Sequence, residues 1–401
     1  VRIGDAISKV QVSHTSQGVK VLIPGAELVD FKSDLASKQQ ALFPIEELTK
    51  DLGKKPRFNQ WKMVDYDGDG DLDVIVGMDD WSAYGWDDAY NEEGVWTNGP
   101  LYGFVYLLEN KDGQYENRGR IQAGGKEINV YGAPSPNFAD FDGDGDLDLI
   151  CGEFLDKLTY FENKGTRENP VYKEGRYLEN EEGIITMNLE MIIPVALDWD
   201  KDGHVDLVVG DEDGRVALIK NTGKTEDGLP IFSSPNYFRQ QADNLKFGAL
   251  VTPVSVDWDN DGDEDIIAGN SAGHFAFIEN LDGAVKPKWA EPKLLETDGE
   301  PIRIQAGDNG SIQGPAEAKW GYTTLYVADW DGDGQKDIIF NSIWGRVEWI
   351  KNTGNGLLAP QPVIVDWKGQ SPPYPDWNWW KPKANELVTQ WRTTPFAIDW
   401  N

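Results

Sequence analysis

Residues 65–73 read Asp65-Tyr66-Asp67-Gly68-Asp69-Gly70-Asp71-Leu72-Asp73, and a phrase of the same design recurs at 140–148, 198–206, 257–265 and 329–337. Carboxylates stand at its first, third, fifth and ninth positions, with glycine at the sixth. Acids this close repel one another strongly, so the loop requires a cation. An all-oxygen set suits calcium, which takes about six to eight oxygens in flexible geometry. The candidate ligands are Asp65, Asp67, Asp69 and Asp73; Asp140, Asp142, Asp144 and Asp148; Asp198, Asp200, Asp202 and Asp206; Asp257, Asp259, Asp261 and Asp265; and Asp329, Asp331, Asp333 and Asp337. The seventh residues, Asp71, Asp146, His204, Asp263 and Gln335, would each add a main-chain carbonyl.

The loop starts lie 75, 58, 59 and 72 residues apart. Each loop is followed by an apolar run, such as Val74-Ile75-Val76-Gly77 or Ile266-Ile267-Ala268-Gly269, and then by a second strand-like run ending in asparagine. Those asparagines are Asn110, Asn163, Asn221, Asn280 and Asn352. Helical periodicity is scarce. One unit reads as strand, acidic loop, buried strand, connection, strand, turn and edge strand. Radial repetition of such units gives an all-β fold, a β-propeller of four-stranded blades. A linear array of small calcium modules is the alternative, disfavoured because the runs after the loops are too apolar to lack a neighbour. The expected division is an N-terminal segment over residues 1–57, partly strand and packing on or completing the propeller, and the propeller over 58–401. Residues 395–401 copy the lead-in to a loop and stop, which suggests a fragment of a ring with seven blades as first choice.

The formal charge of −32, from 69 acidic against 37 basic residues, argues against nucleic acid and anionic membranes as partners. Cys151, the single cysteine, lies in an apolar run and reads as a small buried hydrophobe. No segment of about eighteen apolar residues is present, so no membrane insertion is expected. Loops of this design need the calcium found outside the cytosol, so a secreted, periplasmic or cell-surface protein is expected, its signal peptide removed.

The loops, with phrases such as Tyr160-Phe161-Glu162-Asn163-Lys164-Gly165-Thr166 followed by Asn169-Pro170-Val171-Tyr172, resemble the FG-GAP or VCBS-type repeats of bacterial exported proteins and integrin α-subunit propellers. The resemblance covers roughly residues 58–401. It implies a calcium-binding propeller and a range of functions: adhesion modules, lectins and polysaccharide-degrading enzymes. Among the enzymes are polysaccharide lyases acting on uronate-containing polymers, though no catalytic residue is carried over from them.

In this resemblance the acidic loops share one face and the second-to-third-strand connections lie on the other, where ligands are expected. Four of those connections are short. The first, residues 78–103, carries Trp81, Tyr84, Trp86, Tyr90 and Trp96 beside Asp88 and other acids. Aromatic faces and carboxylates suit a polysaccharide or oligosaccharide; a self-packed loop is the alternative. Further candidates for substrate contact are Lys319, Trp320, Trp344, Trp380 and Trp391. For β-elimination on a uronate, Arg392 would neutralise the carboxylate, His274 act as base and Tyr322 as proton donor. A glycoside hydrolase would instead need two carboxyl groups, with Glu153, Asp88, Glu190 and Asp211 available. A polysaccharide lyase is the expected activity; a non-catalytic glycan-binding or adhesion propeller is its rival.

Overall fold

The computed structural model describes residues 10–29, 31, 38–53, 56–57, 59–85, 89–239, 245–283, 288–369, 380–383 and 385–398. Trp86 and Asp88, candidates for sugar contact, lie outside these residues. The chain divides into two compact units, one of Val1–Gly85 with Asn98–Phe238 and one of Trp86–Thr97 with Arg239–Asn401. None of the described helices is long and apolar enough to cross a membrane.

The first unit begins with a four-stranded antiparallel sheet, Gln11–Thr15 to Gln39–Ala41, and a one-turn helix at Ile45–Leu48. Three repeats follow. Their first three strands are Asn59–Val64, Asp73–Asp80 and Tyr102–Lys111; Ser135–Ala139, Asp148–Gly152 and Leu158–Phe161; and Ile193–Leu197, Asp206–Gly210 and Val216–Ile219. The second unit holds two more: Thr252–Val256, Asp265–Gly269 and Phe275–Ile278, then Thr324–Ala328, Asp337–Asn341 and Glu348–Ile350. In repeats two to five a two-residue fourth strand completes a sheet in sequential order; in the first, Gln114–Arg120 does so. Four strands meandering antiparallel, repeated, form the blades of a β-propeller-type fold.

The second strand of each repeat explains the unbroken apolar runs. Successive side chains leave a strand on opposite faces, and here both faces are covered. Leu149 and Cys151 enter the core shared with Ile75 and Val105 of the first repeat, while Ile150 enters the one shared with Leu207 and Val209 of the third. In the second unit Ile338 and Phe340 meet Ile267 and Phe275, and Ile339 faces Val347 and Val363. The N-terminal sheet supplies Leu22, and the short helix Leu48, to the outer face of the first repeat against Trp61, Val74 and Val76. Each fully buried side chain of this size contributes about 1.5–3 kcal/mol. Lys62 joins three first strands, donating from Nζ to Asn137 Oδ1 at 2.7 Å and to the Pro194 carbonyl at 3.3 Å. Burial pulls its ammonium down to about 8.

Candidate functional site

Within every repeat the acidic loop joins strands one and two, so the turn between strands two and three lies at the opposite end of the sheet. The loop end is built alike five times. Glycine at the sixth position, Gly70, Gly145, Gly203, Gly262 and Gly334, has φ between 89° and 98°, where a side chain is strained. The fourth position is left-handed too, including Lys201 and Asn260. These two reversals fold the backbone so that the amide of the seventh residue donates to the fifth carboxylate in all five loops.

The ninth aspartate is a latch. Asp73, Asp148, Asp206, Asp265 and Asp337 are buried, and each accepts on Oδ1 from the amide of the asparagine that ends the third strand, at 2.8–2.9 Å. In four loops Oδ2 also accepts from the amide of the loop's second residue, at 2.9–3.0 Å. One carboxylate thus holds the loop to the third strand. Burial, opposed by these amides, pushes Asp73 up to about 6 and Asp148 up to about 7.

Carboxylates in each loop converge: Asp65, Asp67 and Asp73; Asp140, Asp142 and Asp144; Asp198, Asp200 and Asp206; Asp257, Asp259 and Asp265; Asp329, Asp331 and Asp333 each offer oxygens within 4.8 Å of one another. Oxygens that close can all touch one ion at about 2.4 Å, a calcium-like distance, so the donor set fits a hard divalent cation. Asp69, Asp202 and Asp261 stand outside these groups, as do Asp148 and Asp337. The side chains of Asp71, Asp146, His204, Asp263 and Gln335 are outside as well, which leaves their carbonyls as the available donors.

The turn ends differ from repeat to repeat. In the first unit Trp81 and Tyr84 are 5% and 1% exposed. Trp81 donates from Nε1 to Asp79 Oδ2 at 2.6 Å, packs edge-on against Phe154 and lies under Arg57; Tyr84 meets Tyr131 edge-on. These two were expected to contact sugar; they are instead wall, holding the stem of the insertion against the next repeat. Beside them a cavity of about 570 Å³ is lined by Leu101, Ile128, Tyr131, Glu153, Phe161 and Tyr177, among others. Glu153 is buried, and burial, opposed by the Tyr131 amide and the Lys157 charge, pushes it up to about 7. Asp211 is paired with Arg215 at 3.1 Å, and Glu190 is buried.

In the second unit the turn end gathers aromatic rings and guanidinium groups. Gly273 and Gly321 pack back to back; a Cβ on Gly321 would stand 2.4 Å from the Gly273 Cα and 2.1 Å from the Ile304 carbonyl oxygen. That approach brings His274 beside the 320–323 segment, where its carbonyl accepts from Thr323 Oγ1 at 3.0 Å. Tyr322 stacks on Trp320 with centroids 5.1 Å apart. Arg392 lies over the Tyr322 ring at 3.3 Å and the Trp391 ring at 3.8 Å. The Tyr322 hydroxyl points inward and donates to Glu317 Oε1 at 3.2 Å, while Ser311 Oγ donates to Glu317 Oε2 at 2.7 Å. The expected trio His274, Tyr322 and Arg392 therefore shares one neighbourhood, but the hydroxyl proposed as proton donor is committed to a buried carboxylate.

Alongside, Trp344 donates from Nε1 to the Gln305 carbonyl at 3.0 Å and meets Trp380 edge-on at 6.3 Å. Arg346 sits 4.3 Å from the Trp380 centroid and 5.6 Å from that of Trp344. Amide bonds from Ile343 to the Gly321 carbonyl and from Arg392 to the Ser342 carbonyl weld the two clusters together. The tip of the insertion belongs to this unit: Tyr90 donates to the Asp308 carbonyl at 3.1 Å and packs edge-on against Trp96. Trp320 and Trp380 are buried, whereas Tyr90, Trp96, Lys319, Trp344, Trp391 and Arg392 are half-buried. Arg346, Glu317 and Arg303, which donates from Nε to the Ala272 carbonyl at 3.0 Å, are the members sequence reasoning missed. Arg346 was detectable, as a guanidinium two residues after Trp344 in a turn otherwise short.

Repeated acidic loops on four-stranded sheets define a class of propeller-type repeats. The chain carries FG-GAP-like repeats, matched over residues 65–151 and 198–268. Among solved structures, a lectin of Agrocybe aegerita, described for specific recognition of non-reducing terminal N-acetylglucosamine, is similar at 16% identity and a TM-score of 0.28, covering 88% of this chain and 76% of the lectin. The Tc holotoxin pore of Photorhabdus luminescens is similar at 19% identity and a TM-score of 0.27, covering 84% of this chain and 13% of that one. No curated protein sequence matches.

Proposed function

We propose that this chain is an exported carbohydrate-binding protein whose second unit takes an anionic glycan at the turn end, its blades held by calcium at the loop end. The observation that carries the reading is Arg392 lying against both the Tyr322 and the Trp391 rings, in the same cluster as the half-buried Trp344. A guanidinium packs on aromatic faces and recognises a carboxylate or sulfate through its planar fork of N–H donors. Indole faces cover the apolar C–H faces of a sugar. In a chain of charge −32, such a cationic aromatic cluster is a local exception that selects for an acidic ligand.

At the loops, calcium would be held by the first and third carboxylates with the seventh carbonyl, joined by the ninth carboxylate in the first, third and fourth loops and by the fifth in the second and fifth loops. The ion would neutralise the clustered acids and stabilise the fold by binding only the folded state. Export follows from this need for calcium.

Cleavage by β-elimination would require the Tyr322 hydroxyl to face a leaving oxygen; its bond to Glu317 supports binding rather than elimination. The test is affinity electrophoresis of the full chain in calcium through gels containing uronate, sulfated or neutral polysaccharides. Retardation by an acidic polymer, weakened about tenfold or more in Arg392→Gln, is expected. Equal mobility in every gel would overturn the reading, and growth of the absorbance of unsaturated ends would establish a lyase instead.

A further inference from the structure

The five loops divide into two kinds. At the residue just before the asparagine that ends the third strand, three repeats carry Glu109, Glu162 and Glu279, and two carry Lys220 and Lys351. The seventh loop position changes with it: Asp71, Asp146 and Asp263 accompany the glutamates, His204 and Gln335 the lysines. One kind therefore has five aspartates and a glutamate near the loop, the other four aspartates and an ammonium.

The ammonium groups reach the ligand positions. Lys220 Nζ lies 2.5 Å from Asp200 Oδ2 and 3.0 Å from Asp202 Oδ2, the third and fifth residues of its loop. Lys351 Nζ repeats this on Asp331, and on Asp333 at 2.8 Å. Two of the glutamates are occupied otherwise, Glu109 by Arg118 and Lys111, and Glu162 by Lys164 and Lys173. Arg167 and Lys336 also approach the first and fourth loops, from the following repeats: they bond the main-chain carbonyls of Asp65 and Asp257 and stand 3.5 and 4.0 Å from the first carboxylates at the entrance, without reaching the third and fifth. Buried carboxylate oxygens without a hydrogen-bond partner occur in two of the three glutamate-type loops, Asp146 Oδ1 and Asp148 Oδ2 in the second and Asp257 Oδ1 and Asp263 Oδ1 in the fourth; the first, third and fifth loops show none.

We infer that the third and fifth loops carry a tethered cation of their own and bind calcium only by displacing it, so that the chain has three strong calcium sites and two weak ones. The inference rests on the reading of the loops as calcium sites. Ligand charge tunes calcium affinity over orders of magnitude, and a positive group within the cage acts in the same sense as a lost carboxylate. The weak pair would fill only where calcium is plentiful, leaving repeats three and five held by their lysines when it is scarce.

The test is calorimetric titration of the chelator-treated full chain with calcium, with its thermal midpoint measured alongside. Three tight equivalents and two at least about tenfold weaker are expected. Lys220→Gln with Lys351→Gln should tighten the weak pair about tenfold or more, leaving the other three unchanged. Lys224→Gln, which makes a charge change at an exposed site in the same repeat, should leave all five affinities unchanged. Five equal sites, or a weak pair unmoved by the double substitution, would overturn the two-class inference while the calcium reading stands. No calcium bound, with no change in thermal midpoint, would overturn that reading itself. Because binding is counted directly, a loss of stability in the double variant cannot imitate the expected gain in affinity.

Discussion

The two ends of each repeat follow different rules. At the loop end the same backbone reversals, latch and asparagine recur five times, and a carboxylate is placed almost identically each time. At the turn end no two repeats agree. The first has an aromatic insertion, the fourth a glycine pair against Tyr322, and the fifth a Trp344–Arg346 turn. What recurs in every unit serves every unit, and so holds the fold. What occurs once is free to serve a ligand.

That contrast can be broken in several places. Chelation should have the largest effect, since each site saturated a hundredfold above its Kd contributes about 2.7 kcal/mol; the thermal midpoint in excess chelator checks it. Next comes Asp206→Ala, which strands the buried amide of Asn221 and the part-buried amide of Trp199. It should cost about 3 kcal/mol in denaturant unfolding, whereas His204→Ala, two residues away and exposed, should change stability by less than about 0.5 kcal/mol. Gly321→Ala should cost about 2 kcal/mol by overpacking against the Ile304 carbonyl and Gly273, and should lower glycan affinity by displacing Tyr322.

The smallest effect is pH-dependent. Glu153 is pushed up to about 7 by burial, from an ordinary 4.5. The folded state holds this proton more tightly than the unfolded one, so Glu153 lowers stability progressively as pH rises from about 4.5 to 7. Glu153→Gln should therefore be the more stable protein at pH 8 and match the parent at pH 4. Urea unfolding at the two pH values checks this.

The loops and the strands behind them were legible because each appears five times, and periodic burial on both faces of the second strands leaves only apolar residues there. The fourth-position reversal was half-visible: three loops have glycine there, but Lys201 and Asn260 conceal it in two. The aromatic insertion shows what a sequence withholds. Trp81 and Tyr84 stand in the same polar surroundings as Tyr90 and Trp96, yet the first pair is buried by Phe154 and Tyr131 of the following repeat. Partners that distant leave no local trace. The inward turn of the Tyr322 hydroxyl was hidden likewise, because Glu317 is one acid among 69.

The separation of a structural end from a binding end is tested most directly by titrating an acidic oligosaccharide into the parent chain and into Arg392→Gln in saturating calcium, recording the thermal midpoint of each. The account predicts affinity at least about tenfold weaker in the variant at a midpoint within a few degrees of the parent. Unchanged affinity, or an affinity that falls only as the fold itself fails, would contradict it.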